Sequence, residues 1–151
     1  MVEAERIAAE AAFRRLACGY ARSMDRNLPE LLDDVLTADV VIDGPGFRIS
    51  DLAGARAAPG TLKTMFSQTT HVVHNQTLLL TGADEAEGET YCTAAHISLP
   101  AEGEPLSAWV WAIRYQDRMR REGGTWKLSY RQLIVDWTDR RPVELMPVAS
   151  I

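Results

Sequence analysis

The stretch THVVHNQTLLLT, residues 70–81, does most to decide the fold. It is rich in β-branched and apolar side chains and runs into Gly82, which is the pattern of a strand that ends at a turn. Further runs of this kind follow, separated by turn residues. The runs are residues 89–99, 106–120 and 126–137, and the turns lie at Gly82-Ala83-Asp84, Pro100 to Pro105 and Gly123-Gly124. This half of the chain therefore predicts an antiparallel meander of four strands.

The first half of the chain is helical in pattern. Residues 4–24 lack proline and repeat apolar side chains every three or four positions, which predicts an amphipathic helix of about 20 residues. Four shorter elements follow it: a helix over 30–36, a strand at 40–42, and helical stretches ending at Arg56 and Phe66 with Pro59-Gly60 between them. Ser50-Asp51 is the expected cap of the third helix. Helices followed by a meander indicate an α+β domain, with the helices on one face of a curved sheet.

Composition limits the domain count and the partners. The 151 residues are 46% hydrophobic, which fits one domain, 1–151, with 138–151 as an extended C-terminal tail. The net charge is −5, and no basic stripe with interleaved aromatic residues is present, so we expect no nucleic-acid partner. No apolar run approaches the roughly 18 residues that cross a bilayer, so we expect no membrane partner.

The two cysteines and the histidines argue against disulfide and metal chemistry. Cys18 and Cys92 show no CxxC spacing and are interpreted as reduced thiols. With no signal-peptide pattern at the N-terminus, they favour a cytoplasmic protein. His71 and His74 point to opposite faces of a strand, and no cysteine or carboxylate completes a ligand set. We therefore expect no metal.

One histidine, one aspartate and one arginine are candidates for catalysis. In a strand, His71, Val73 and Asn75 share a face. If the fold brings His71 together with Asp25 and Arg131 in an apolar cavity, they make a base, its orienting anion and a cationic stabiliser. The alternatives are that Asp25 is a turn residue and that His71 is a hydrogen-bonded structural histidine. Arg131, in mid-strand with apolar neighbours, needs a partner if it is buried.

Aromatic side chains could line a pocket beside these residues. Trp109 and Trp111 share a strand face, which is typical of a core. In a cavity-forming sheet the same face would bind a flat hydrophobic ligand. The predicted pocket residues are Phe66, Val73, Asn75, Trp109 and Trp111.

Several short motifs occur together across residues 5–137. They are Met24-Asp25-Arg26, the strand at Val40, Thr70-His71-x-x-x-Asn75, Tyr115-Gln116-Asp117-Arg118, Gly124-Thr125-Trp126-Lys127-Leu128, Arg131 and Asp136-Trp137. In this combination the chain resembles the SnoaL-like branch of the NTF2-like superfamily. The resemblance implies a cone-shaped barrel, with N-terminal helices on a strongly curved, mostly antiparallel sheet that encloses an apolar pocket. Enzymes and plain binding modules share this fold.

Within that superfamily the chain is similar to scytalone dehydratase, bile-acid 7α-dehydratase and hexachlorocyclohexane dehydrochlorinase. The resemblance implies that Asp25 and His71 form a dyad that removes a proton from carbon while a leaving group departs. It also implies Arg131 as a pocket arginine and Tyr20 as a pocket tyrosine. In physical terms, Asp25 would hold His71 in the tautomer whose Nε2 is the base. Tyr20 could donate to a carbonyl or leaving hydroxyl, and Arg131 could stabilise an enolate.

These observations favour a cofactor-independent lyase that removes water from a cyclic apolar substrate such as a steroid or polyketide. The alternatives are an isomerase or cyclase that uses the same dyad, and a non-catalytic module that binds a hydrophobic ligand. The chain is also expected to be a homo-oligomer, because Val110, Ala112 and Leu133 or their neighbours leave an apolar outward sheet face. The related dehydratases are trimers, which favours a trimer over a dimer.

Overall fold

Helices pack on one face of an open, curled six-stranded sheet, in a computed structural model that describes residues 3–147. The helical elements are α1 (Glu3–Arg26), a 3-10 turn (Pro29–Leu31), α2 (Leu32–Val35) and α3 (Leu52–Met65). The strands are β1 (Leu36–Gly44), β2 (Phe47–Ile49), β3 (Phe66–Leu80), β4 (Glu85–Ser98), β5 (Ser107–Glu122) and β6 (Thr125–Pro142). The order across the sheet is β2-β1-β6-β5-β4-β3, so β2 and β3 are its edges. The predicted α+β class is confirmed.

Helix α1 covers the sheet with one apolar face. Phe13, Leu16, Tyr20 and Met24 are buried at the three- and four-residue spacing read from the sequence. The helix ends at Arg26 because Asn27 has a positive φ of 53°, a conformation that asparagine tolerates and that stops helical hydrogen bonding. Asp25 therefore lies in the last helical turn.

The region between α1 and β3 differs from the sequence prediction in three places. The expected second helix is a 3-10 turn followed by four helical residues, and β1 begins at Leu36. The expected break at Pro59-Gly60 is absent: α3 is continuous, and Pro59 is buried inside it. Proline cannot donate a helical hydrogen bond, so α3 continues through Pro59 without the bond that this residue would otherwise donate. The sequence analysis also missed β2, which forms a hairpin with β1. The predicted cap at Asp51 is confirmed, since its side chain accepts from the Gly54 N–H at 2.6 Å.

The meander has the predicted order and longer strands. The β3–β4, β4–β5 and β5–β6 pairs are antiparallel, whereas β1 runs parallel to β6. Gly123 and Gly124 turn the β5–β6 hairpin with φ of 56° and 82°, which explains why glycine is needed at both positions. β6 continues to Pro142, so residues 138–142 of the expected tail are strand. Residues 148–151 of that tail lie outside the described residues.

The two faces of the sheet carry different side chains. The inward face, which α1 covers, carries Tyr115 of β5 and Leu133 of β6, which pack in one buried cluster. Val110 is on the outward face but is buried against Ile97 and Val143. The expectation that Val110 and Leu133 leave the outward face apolar and exposed is therefore wrong for both. An irregularity in the β5–β6 pairing after Ala112 changes which side chains share a face, and the chain after β6 covers Val110.

Candidate active site

Asp25 and His71 meet where the last turn of α1 reaches β3. Asp25 Oδ1 lies 2.6 Å from His71 Nδ1, and Oδ2 accepts the His71 backbone N–H at 2.8 Å. Thr69 Oγ1 donates to Oδ1 at 3.0 Å. The side chains of His71 and Asp25 are 7% and 17% exposed. The structure thus brings two predicted site residues into direct contact and fixes the carboxylate with three hydrogen bonds.

The electrostatics of Asp25 favour its charged form. Partial burial raises the pKa of this carboxyl, but the hydrogen bonds from His71 and Thr69 outweigh burial, so its pKa lies below the ordinary value. A charged carboxylate accepts only, so His71 Nδ1 must carry the hydrogen that lies between them. In a neutral ring Nε2 is then the unprotonated nitrogen, available as a base.

A cluster of aromatic side chains lies beside His71 on the inward face. The His96 ring packs against Phe66 and Trp111, with centroid distances of 4.8 and 4.9 Å, and stands edge-on to His71 at 6.0 Å. Trp109 is in edge contact with Trp111 at 4.9 Å. Three of the predicted pocket residues are therefore together, and their own packing fills part of the space next to His71.

Sequence reasoning did not select His96. The pairing of Thr69 with His96 and of His96 with Trp109 places it on the inward face. Its Nδ1 lies 3.1 Å from the Trp109 carbonyl oxygen, which can only accept, so Nδ1 carries the hydrogen. Burial lowers the pKa of His96, so the ring is neutral and its Nε2 is an acceptor. The alternation of side chains along β4 could have placed His96 on the inward face, but only if the strand register had been known.

Trp111 brings a polar atom into this cluster. Its indole Nε1 is buried and has no hydrogen-bond partner among the described residues. A buried donor without a partner costs about 1–3 kcal/mol, so such groups are rare unless a water or ligand satisfies them. This N–H is therefore free to donate a hydrogen bond to an acceptor atom on a bound molecule.

Arg131 and Tyr20 belong to a second, fully buried cluster. Arg131 is 1% exposed and forms a two-pronged ion pair with Asp117, each N–O distance being 2.8 Å. Its guanidinium also lies over the rings of Tyr20 and Tyr115, at 4.4 and 4.0 Å. The pairing raises the pKa of Arg131 even though burial opposes the charge, while burial raises the pKa of Tyr20. The partner that a buried mid-strand arginine requires is thus Asp117, which the sequence analysis did not assign.

The remaining predicted pocket residues, Val73 and Asn75, are on β3. Val73 is half-buried, but Asn75 is exposed. The β3–β4 pairing is irregular between Val73 and Gln76, and Gln76 turns inward to donate to Thr90 Oγ1 at 2.8 Å. The alternation assumed for His71, Val73 and Asn75 therefore stops at Val73.

An open groove between α1 and β3 reaches Asp25 and His71. It has a volume of about 410 Å³, and its lining includes Arg14, Arg22, Arg26, Val72 and Val73. A larger concavity of about 780 Å³ lies elsewhere, lined by Asp43, Arg48 and Tyr130 among others. Neither Asp25 nor His71 lines it, and Arg48 is paired with Asp43. The candidate site is therefore at Asp25 and His71.

Residues 3–147 contain neither a metal-binding cluster nor a membrane-spanning helix. No group of three or more His, Cys, Asp or Glu side chains in this range is arranged to hold a metal ion. No helix in it is both long enough and apolar enough to cross a membrane.

Comparison with known proteins identifies the family. The model of the SnoaL-like domain matches residues 5–132, and the chain belongs to this family. No curated protein matches the sequence.

Solved structures share the fold at low sequence identity. A candidate scytalone dehydratase of Novosphingobium aromaticivorans has a TM-score of 0.81 and 21% identity, over 95% of this chain and 94% of that one. A hexachlorocyclohexane dehydrochlorinase of Novosphingobium barchaimii has a TM-score of 0.85 and 18% identity, over 97% and 100% of the two chains. A protein of Kribbella flavida has a TM-score of 0.78 and 22% identity, over 86% and 92%. These likenesses concern the fold.

Proposed function

We propose that this protein is a cofactor-independent lyase in which His71 removes a carbon-bound proton from a cyclic apolar substrate, such as a steroid or polyketide, with loss of water. The observation that carries the proposal is the contact of His71 Nδ1 with the charged Asp25 carboxylate at 2.6 Å. The likeness of the fold to that of a dehydrochlorinase, in a chain of the SnoaL-like family, is consistent with elimination chemistry. The fold itself hosts other activities, so the site must be tested.

The proposed reaction needs only the dyad and the substrate. His71 Nε2 takes the proton from the carbon next to a ring carbonyl, and the carbon–hydrogen electron pair moves toward the carbonyl oxygen to form an enolate. The enolate then expels hydroxide as the carbon–oxygen bond breaks. Hydroxide takes the proton from the imidazolium and leaves as water, which restores the neutral ring. Asp25 stabilises the imidazolium, and general-base catalysis of this kind is worth about 10²–10⁴-fold in rate.

Stabilisation of the enolate oxygen needs a preorganised donor. The buried, unpartnered N–H of Trp111 is one candidate. Tyr20 and Arg131 remain the donors proposed from sequence, but Nε and Nη2 of Arg131 are already bonded to Asp117. We therefore propose that Arg131 acts mainly as a positioning residue, holding the Tyr20 ring beneath its guanidinium.

A second candidate function is a non-catalytic module for hydrophobic ligands. The packing of Phe66, His96, Trp109 and Trp111 against each other favours it, because such packing leaves less room for a large substrate. Isomerisation or cyclisation through the same enolate is the alternative within enzymes.

Solvent deuterium exchange tests the proposal without knowledge of the leaving group. A panel of steroid ketones and fused-ring aromatic ketones is incubated in D₂O, and deuterium entry next to the carbonyl is followed by NMR. The wild type should accelerate exchange for at least one ketone, and His71→Ala should abolish the acceleration. His74→Ala is the matched control, because His74 is exposed and its Nε2 contacts Thr93 instead. No acceleration with any ketone would favour the binding module.

The assembly and compartment are further proposals. A homotrimer formed through the outward sheet face would cover side chains that are exposed in the single chain. Both cysteines are free thiols, which fits a reducing compartment such as the cytoplasm.

A further inference from the structure

We infer that the groove between α1 and β3 binds an oxyanion, a carboxylate or phosphate carried by the ligand of the Asp25–His71 site. This inference names the substrate class of the proposed function and rests on it. The groove reaches Asp25 and His71 and has a volume of about 410 Å³, which is the size of a small-molecule site. A ligand in contact with His71 can therefore extend into it.

The groove concentrates arginines that lack carboxylate partners. Arg14, Arg22 and Arg26 line it, and none forms an ion pair with a carboxylate among the described residues. Most other arginines in the described range are paired: Arg6, Arg48, Arg56, Arg114, Arg118, Arg120, Arg121 and Arg131 all have an acidic partner. In a chain of net charge −5, a groove with three such cations is an exception.

The three cations form a slanting row along α1. Arg22 and Arg26 are four residues apart and are neighbours on the helix surface, whereas Arg14 lies about two turns earlier and about 80° around the helix from Arg22. All three line the groove beside the edge strand β3. Arg14 Nη1 donates to the His74 carbonyl at 2.7 Å, which ties this side chain across the groove. Like charges in a row repel one another, and a bound anion would relieve the repulsion.

The groove offers little competition for an anion. Asp25 is the one acidic side chain in its lining, and its two oxygens are already bonded to His71 and Thr69. Val72 and Val73, which also line the groove, carry no charged or polar side chain. The chemistry therefore fits an apolar body that carries a carboxylate or phosphate.

The test is a binding titration of ¹⁵N-labelled full-length protein at low ionic strength. The probes are naphthalene-2-carboxylate, its neutral match naphthalene-2-carboxamide, and inorganic phosphate, with amide shifts of α1 and β3 as the readout. The carboxylate should bind at least about tenfold more tightly than the carboxamide, because charge-assisted hydrogen bonds to arginine are strong. Sodium chloride at physiological ionic strength should weaken binding of the carboxylate and of phosphate, and it should leave binding of the carboxamide unchanged.

Matched variants separate the groove from general surface charge. Arg22→Gln with Arg26→Gln should weaken carboxylate binding about tenfold and leave the carboxamide unchanged, as expected for lost charge-assisted bonds. Arg15→Gln is the control, since Arg15 is exposed on the same helix and outside the groove lining. The inference would be overturned by an equal loss of carboxylate affinity in Arg15→Gln or by equal affinities for carboxylate and carboxamide. It would also be overturned if no probe shifted the amide signals. Binding of phosphate alone would support it with phosphate as the group.

The outcome is distinguishable from that of the proposed function. If exchange occurs but the carboxylate does not bind, the anion site is wrong and the base is right. If the carboxylate binds and no ketone exchanges, the groove is an anion site of a binding module.

Discussion

At the scale of single residues, the surroundings of Asp25 favour the charged form of its carboxyl group. Its pKa is lowered in the folded chain by His71 and Thr69, against the effect of burial. A carboxyl with a depressed folded pKa contributes stability above its unfolded pKa of about 3.9 and loses it as the pH falls through the lower folded value. The free energy of unfolding should therefore decrease as the pH falls through this range.

We therefore expect acid to destabilise the wild type more than Asp25→Asn. Urea unfolding of both proteins from pH 6 to pH 3 measures it. The stability of the wild type relative to the variant should be constant from pH 6 to about pH 5 and fall below about pH 4. A difference independent of pH would show that Asp25 has an ordinary pKa in the folded protein.

Arg131 is a second residue whose charge depends on a partner, because its buried guanidinium is stabilised by Asp117. Removing one member of a buried pair leaves an unpaired charge and costs about 3–5 kcal/mol, whereas replacing both with apolar groups is often much less costly. Asp117→Asn should therefore destabilise strongly, and Asp117→Leu with Arg131→Met should recover much of the loss. Arg131→Lys should impair both stability and deuterium exchange, because lysine lacks the planar fork. Equal stability of Asp117→Asn and wild type by urea unfolding would contradict this account.

At the scale of elements, a close contact fixes how α1 sits on β4. A Cβ on Gly88 would come within 2.5 and 2.7 Å of the Phe13 ring and 2.9 Å of the Thr77 carbonyl oxygen. Gly88→Ala should therefore cost about 1–3 kcal/mol, as overpacking in a core does. Gly82→Ala is the control, since its nearest atom outside neighbouring residues would be 3.7 Å away. Chemical unfolding of both variants decides: equal stabilities would mean that α1 does not approach β4 this closely.

Elements with a strong local signal were predictable, and those set by register were not. The apolar spacing of α1 and the glycine turns of the meander gave the right order of helices and strands. Asn75 was assigned by strict alternation and Leu133 was expected on the outward face, but the strand pairing is irregular at Asn75 and on both sides of Leu133. The helix α3 continues through Pro59, and the proline ring is buried; the local sequence, with Pro59 followed by Gly60, indicates a break instead. The contact of Asp25 with His71 came from the resemblance, because their distance in sequence carries no geometric information.

At the scale of the whole molecule, the outward face of the sheet is where assembly is expected. Val72, Tyr91 and Trp137 are 47%, 42% and 60% exposed on that face. Val72 and Trp137 lie in one row across the sheet, through Thr93 and Ala112. Large apolar side chains that are exposed on one face are candidates for an interface.

We expect a trimer, and Trp137→Asp should dissociate it. Light scattering coupled to gel filtration at micromolar concentration measures the mass. Met65→Glu is the control, because Met65 is 54% exposed at the end of α3, away from that sheet face. A monomer mass for the wild type would contradict the proposal. A dimer mass would be consistent with the proposed interface but would contradict the three-fold symmetry.

The central claim is that Asp25 and His71 act as one catalytic unit, and one set of measurements tests it most directly. Deuterium exchange and thermal unfolding are measured for His71→Ala, Asp25→Asn and the double variant, with a ketone that the wild type exchanges. His71→Ala should abolish exchange, Asp25→Asn should cost nearly as much, and the double variant should be little worse than either, because residues of one unit are not additive. All three proteins should remain folded. Large losses of stability with unchanged exchange would show that the pair is structural and contradict the account.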